Sequence, residues 1–237
     1  MTVTGQDGNA SRGTETETAT DTDTARAIGR LADHRASVRL RAALAIGSAP
    51  DPRYVGPLVE RCATEPEFFV RDMLTWALNR HPASLTLPAL LHELRSELPQ
   101  ARSQALHTLS KIGEPGAWPA ITRALLTDAD DEVARSAWRA AVVLVPEGGE
   151  SALATVLATQ LGRGGHETQL SLSRALVDLG EPVLSALLPA RTAADPAVRA
   201  HALATEKLLH DPDTGFTFAI EEAKRVVALG GAGPEGH

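Results

Sequence analysis

The chain has one cysteine, Cys62, three lysines (Lys111, Lys207 and Lys224) and only 3% aromatic residues in 237 positions. A lone cysteine excludes an internal disulfide framework and fits a reducing compartment. No apolar run approaches the roughly 18 residues needed to span a bilayer, and no basic and apolar leader opens the sequence. Neither secretion nor membrane insertion is therefore expected, and the cytoplasm is the expected location. No strand-like alternation is present either. What is abundant is alanine, and arginine so outnumbers lysine that a GC-rich bacterial genome is expected, which is a statement about codons and not chemistry. The 43% hydrophobic content is enough to bury a core.

The net charge of −7 is unevenly spread. The first 25 residues, including "TETETATDTDTA", hold Asp7, Glu15, Glu17, Asp21 and Asp23 against Arg12, a net of −4, and no apolar periodicity. Residues 1–24 are expected to form a disordered acidic tail. The rest carries only −3, so a folded body over 25–229 is close to neutral and has room for local patches of either sign. The glycine-rich end, 230–237, is expected to fray.

The body repeats. "SVRLRAALAIG", "FVRDMLTWALN", "QARSQALHTLSKIG", "EVARSAWRAAVVL", "ETQLSLSRALVDLG" and "AVRAHALATEKLL" align on Arg39, Arg71, Arg102, Ala134, Gln169 and Arg199, with spacings of 32, 31, 32, 35 and 30. Three after each anchor stand Ala42, Leu74, Ala105, Ala137, Leu172 and Ala202. Six after stand Ala45, Ala77, Thr108, Ala140, Ala175 and Thr205, and seven after, in the first five, Ile46, Leu78, Leu109, Ala141 and Leu176. These positions form one helical face, whose small residues let neighbouring helices approach closely. Between anchors a second helix is expected in "YVGPLVERCA", "LTLPALLHEL" and "AWPAITRALL", where Pro57, Pro88 and Pro119 recur every 31 residues as first-turn prolines.

Helix pairs of about 31 residues, with proline in the first helix and Val-Arg opening the second, resemble HEAT repeats of the short, phycobilisome-lyase-like type. The resemblance implies an all-α, right-handed α-solenoid of about six pairs, proline helices outside and Val-Arg helices lining a concave face. The fourth and fifth units depart from it, since Ala134 and Gln169 replace the anchor arginine and "ESALATVLATQL" lacks the proline. In the last unit Glu206 takes the seven-after position, and Phe216, Phe218, Ile220, Val226 and Val227 supply a closing helix.

Five after each anchor, facing the expected concavity, stand Leu44, Trp76, His107, Arg139, Arg174 and Ala204. Trp76, His107, Arg139 and Arg174 are expected to form a binding stripe, flanked by Met73, Arg80, Gln104, Lys111 and Arg135; Asp72 and Asp178 are the acids among these positions. Exposed tryptophan makes a rigid interface anchor, and clustered arginines in a groove favour an acidic or phosphorylated ligand. The alternative is that Trp76 packs on Met73 and Phe69 while the arginines are solvated or paired. Trp138 and Trp118 are expected to be packing residues.

Enzymes also occur among HEAT proteins. Di-iron HEAT hydroxylases hold metal with His-Glu dipeptides on equivalent inner helices, whereas His92-Glu93 and His166-Glu167 fall out of phase in the repeat. A resemblance to HEAT-fold DNA glycosylases is weakened by the near-neutral body, so nucleic acid is not the expected partner. Bilin lyases share the repeat, but nothing specifies a tetrapyrrole site. Cys62 has no histidine at helical spacing and reads as a buried inert thiol; "GRGGHE" lacks the residues of a phosphate loop and reads as a connector. The expectation is a non-enzymatic binding or regulatory scaffold for an acidic protein partner, with no catalytic or metal residue, no cofactor and no membrane contact. Similar arrays joined to MerR-type transcription regulators suggest a regulatory link by resemblance only.

Overall fold

A computed structural model of the chain describes residues 21–230, and every regular element among them is helical. Helix α1 covers 21–31. It is followed by α2 (Ala36–Ser48), α3 (Val55–Thr64), α4 (Phe68–Asn79), α5 (Ala83–Glu93), α6 (Pro99–Ile112), α7 (Arg123–Leu126), α8 (Asp131–Leu144), α9 (Glu150–Ala158), α10 (His166–Asp178), α11 (Val183–Arg191), α12 (Pro196–His210) and α13 (Phe216–Gly230). The six aligned segments are thus α2, α4, α6, α8, α10 and α12, each preceded by another helix, an arrangement consistent with an α-solenoid. The expected tails lie outside the described residues except at their inner ends. Residues 21–24 are already helical, with Thr24 buried, and Gly230 closes α13. The described residues divide into two compact units, the first ending at Thr108 and the second beginning at Leu109.

The aligned helices bury the face that their sequence predicts. All six three-after residues and the five apolar seven-after residues are at most 4% exposed. Ala45, expected in the same face, is exposed. Two of the proline helices differ from expectation. Pro88 sits in the middle of α5, and Pro119 lies in a 3-10 turn, Pro115–Ala120, that leaves α7 a single turn capped by Thr122. Two prolines within five residues remove the N–H groups that a continuous helix would use there.

The anchor arginines share one task. Arg39 Nη1 donates to the carbonyls of Asp33 and His34 at 2.9 and 3.0 Å, and Arg71 Nη1 to those of Glu65 and Pro66 at 2.9 and 2.7 Å. Arg102 reaches Ser96 and Glu97 at 2.8 and 3.3 Å, and Arg199 reaches Ala193 and Ala194 at 2.7 and 2.8 Å. In each case the acceptors are the carbonyls six and five residues earlier, in the turn that joins the two helices of a pair. Turn carbonyls left over at a helix end need a donor, and one guanidinium serves both.

Where the anchor arginine is missing, the job is done otherwise. Ala134 cannot donate, and Arg163, from the glycine-rich connector after α9, sends Nη2 to Asp128 and Ala129 at 2.5 and 3.2 Å, the same two carbonyls counted from Ala134. Its Nε also pairs with Asp131 at 2.8 Å. Gly162 and Gly164, at φ of 83° and 66°, flank Arg163 in a left-handed turn that a Cβ would strain. In the next unit the Gln169 amide donates to Gly162 and Gly164 at 3.4 and 3.2 Å.

Each unit also holds a buried polar centre. In the first, Glu65 is fully buried and takes a bidentate pair from Arg39, both contacts 2.7 Å, with Arg61 at 2.8 Å and the Glu67 N–H at 3.0 Å. Burial opposes its charge, but these donors win and hold its carboxyl down at about 2. In the second, His201 is fully buried; its Nδ1 accepts the Gly162 N–H at 3.0 Å, and Nε2 lies 3.1 Å from the Gln169 carbonyl and 3.0 Å from Ser173 Oγ. An Nδ1 that accepts requires the neutral ring with its proton on Nε2. Burial lowers its pKa to about 4.

The closing helix packs as expected in part. Phe216, Ala219, Ile220 and Ala223 of α13 cover Ala200, Ala204 and Leu208 of α12, with Val227 partly buried beside them. Phe218 and Val226 instead face outward, at 59% and 55% exposed. Ala204, assigned to the open face by its register, is therefore core. Glu206 is half-buried and pairs with Arg191 at 3.2 Å.

The two buried centres predict separate acid responses. The unfolded chain takes up a proton on His201 near pH 6.5 while the fold resists until about 4, so the stability His201 contributes is complete above 6.5 and lost across that window. The contribution of Glu65 is complete above its ordinary 4.5 and lost as the pH falls towards 2. Each window is expected to remove about 3 kcal/mol, because a tenfold difference in proton affinity between the folded and unfolded chain is worth about 1.4 kcal/mol. Urea titrations across pH should show both slopes, with His201→Gln flattening the first and Glu65→Gln the second.

Candidate anion-binding groove

Residues of the second unit, on α8, α10 and the last turn of α6, line a shared groove of about 320 Å³. The end of α6 presents Ser110 and Lys111; α8 presents Arg135, Arg139, Val142 and Val143; α10 presents Glu167, Leu170, Ser171, Arg174, Ala175 and Asp178. On α8 and α10 these residues recur at three and four, so each helix gives a single stripe. Four of the nine residues expected to bind, Lys111, Arg135, Arg139 and Arg174, come together here.

The cations are incompletely satisfied. Arg135 Nη1 pairs with Glu132 at 2.8 Å, but its Nε is buried without a hydrogen-bond partner. Arg139 has Nη2 3.1 Å from Ser136 Oγ, and its charged form is disfavoured first by burial and then by the neighbouring charge of Arg135. Arginine does not deprotonate in proteins, so this is a standing electrostatic cost. Lys111 and Arg174 are exposed, and among the described residues neither pairs with a carboxylate. Glu167 pairs at 3.3 Å with His166, which does not line the groove, and Asp178 is exposed.

The other five expected residues, Met73, Trp76, Arg80, Gln104 and His107, belong to the first unit. Met73, Gln104 and His107 are half-buried and Arg80, at the C-terminal end of α4, is exposed. Trp76 is 38% exposed, and its covered edge lies on Gly47 of α2: a Cβ at that glycine would fall 2.3 Å from the ring. One edge of the ring thus rests on a bare stretch of backbone. Trp138 is fully buried and its indole N–H donates to the Leu126 carbonyl at 2.8 Å, as a packing residue should. Trp118 is half-buried. Cys62 is buried, and burial pushes its thiol up to about 12, leaving it protonated.

Among the described residues no three His, Cys, Asp or Glu side chains gather as a metal site requires. His92-Glu93 lies in α5 of the first unit and His166-Glu167 opens α10 of the second. These residues do not fit the paired dipeptides of a di-iron centre.

No family model matches the chain, and neither does any curated protein. Among solved structures it resembles human deoxyhypusine hydroxylase, 16% identical, over 90% of this chain and 97% of that one, with a TM-score of 0.45. It also resembles an engineered protein, 20% identical, over 85% and 97% of the two chains, with a TM-score of 0.44. An enzyme is therefore among the chains with a similar course, and the expectation of a non-enzymatic protein is withdrawn on that finding.

Three side chains with structural parts were not singled out from sequence. Arg163 carries a weak signal, an arginine isolated in a glycine run one unit after an arginine is missing. Glu65 and His201 carry none, because Arg39, which meets Glu65, and Ser173, which meets His201, are 26 and 28 residues away in sequence.

Trp76 yields a test. Gly47→Ala raises helix propensity, yet here it should destabilise by about 1–3 kcal/mol through overpacking. In a Trp76→Ala background that cost should shrink. Urea denaturation of the four chains measures it, and a stabilising Gly47→Ala would mean the ring lies elsewhere.

Proposed function

We propose that the chain binds an acidic or phosphorylated segment of a partner protein in the groove between α6, α8 and α10. The observation that carries the reading is the set of four cations on consecutive aligned helices, with Arg139 held beside Arg135 at an electrostatic cost that a bound anion removes. Guanidinium groups form paired, charge-assisted bonds with carboxylate and phosphate. A water-accessible groove with apolar walls at Val142, Leu170 and Ala175 also suits the stems flanking such a charge.

The same cations serve a ligand that is held or one that reacts, since guanidinium stabilises developing negative charge as well as standing charge. The proposal extends to a right-handed solenoid of about six HEAT-like pairs of the phycobilisome-lyase type, supported by the arginine clamp recurring at one register. In that reading it is a cytoplasmic bacterial protein that binds an acidic regulatory partner. No helix of the described residues is long and apolar enough to cross a membrane.

Fluorescence anisotropy with a labelled phosphoserine peptide tests the reading. The wild-type chain should bind it at least about tenfold more tightly than the serine peptide, the scale of one or two charge-assisted hydrogen bonds. Arg139→Ala with Arg174→Ala should abolish the difference, and added salt should weaken binding. Neither side chain belongs to the core, so the melting temperature should hardly move. Equal binding of phosphoserine and serine peptides by the wild type would contradict the proposal.

A further inference from the structure

The order of charge along α10 narrows the ligand further. Glu167, Arg174 and Asp178 lie in one row of groove-lining residues, an acid at each end and the guanidinium between them. At about 1.5 Å per residue, Glu167 stands about 10 Å before Arg174, and Asp178 about 6 Å after it. No ion pair within the groove consumes either acid: Glu167 engages only His166, outside it, and Asp178 pairs with no cation among the described residues. Arg139 enters from α8 at the register position of Arg174, so the two guanidinium groups share the middle of the row.

Such a row is not complementary to an acidic run. A stretch of consecutive glutamates centred on Arg139 and Arg174 would bring like charges against Glu167 and Asp178, and juxtaposed like charges cost binding energy. An extended chain advances about 3.3 Å per residue. The two acids therefore lie level with residues three positions to one side of the central anion and two to the other; the second shares the anion's face, and the first, on the alternate face, reaches its acid only with a long side chain such as lysine.

Resting on the anion-binding reading above, we infer that the groove selects an extended peptide with a single anionic residue, phosphorylated or carboxylate, flanked by cations at those two positions, and rejects acidic runs. The anion sits on Arg139 and Arg174, and the flanking cations meet Glu167 and Asp178. Specificity resides in the two acids and affinity in the arginines, so the two are separable by mutation.

The test uses the full chain and labelled alanine-based peptides with one central phosphoserine or one central glutamate. Lysine, alanine or glutamate occupies the positions three and two residues away, and each set is made in both orders because the direction of the peptide along α10 is open. In one order the lysine-flanked peptides should bind about tenfold more tightly than the alanine-flanked ones, the size of two half-exposed ion pairs, and the glutamate-flanked ones more weakly still. Glu167→Gln with Asp178→Asn should erase the lysine preference while leaving the alanine-flanked affinity unchanged, a readout that loss of fold does not mimic. If glutamate-flanked peptides bind as tightly as lysine-flanked ones, the inference is overturned while anion binding stands. If the alanine-flanked phosphoserine peptide binds no better than its serine counterpart, the anion site itself fails, and the inference with it.

Discussion

One guanidinium held across two turn carbonyls sets the geometry on which the rest depends. The turn between the helices of a pair leaves carbonyls with no helical partner, and an arginine four or so residues into the next helix reaches back to both. That contact fixes where the second helix starts and how it is rotated. Rotation decides which side chains face the core and which face water, since a shift of one residue turns the stripe by about 100°. With the anchor fixed, position three after it is buried in all six units and position seven in the first five, and position five is left outward until α13 covers it.

The same contact sorts the arginines by role. Anchor arginines have their donors taken by carbonyls and, for Arg39, by a buried carboxylate, so little of their charge is left for a ligand. Arg139 and Arg174 stand five residues later on helices whose own anchor position is alanine or glutamine. The two units that lack anchor arginines are therefore the two that present arginine in the groove. Arg163 and Gln169 keep those turns closed, and His201 ties the Arg163 connector to α12 through the Gly162 N–H.

Much of the architecture was legible because it is local. A period near 31, apolar residues at three and seven, and no strand alternation define helices without knowledge of what they touch. Four groove cations were found in the same way, from one register position and its neighbours. What was missed depends on contacts between units of the repeat. Arg163 is a connector residue until Gly162 and Gly164 turn it back on Asp128. Glu65 looks like any turn acid until Arg39 meets it from the preceding pair. Pro119 falls on the 31-residue period yet ends in a 3-10 turn, because Pro115 and Pro119 together deny the helix its first bonds. Trp76 shares the outward position, and only the approach of Gly47 shows that part of its ring is covered.

The clamp is most directly tested where the chain has moved it. Arg163→Ala should cost about 2–4 kcal/mol by urea denaturation, as two hydrogen bonds to a charged donor are lost and their carbonyls left unpaired. Adding Ala134→Arg to that variant restores the arginine to the register of the other units, and it should recover most of the loss without touching the connector. Recovery would establish that the position of the guanidinium over the two carbonyls, and not the residue that carries it, is what the fold requires. An Arg163→Ala chain within about 0.5 kcal/mol of the wild type, the range of an ordinary surface substitution, would contradict the account.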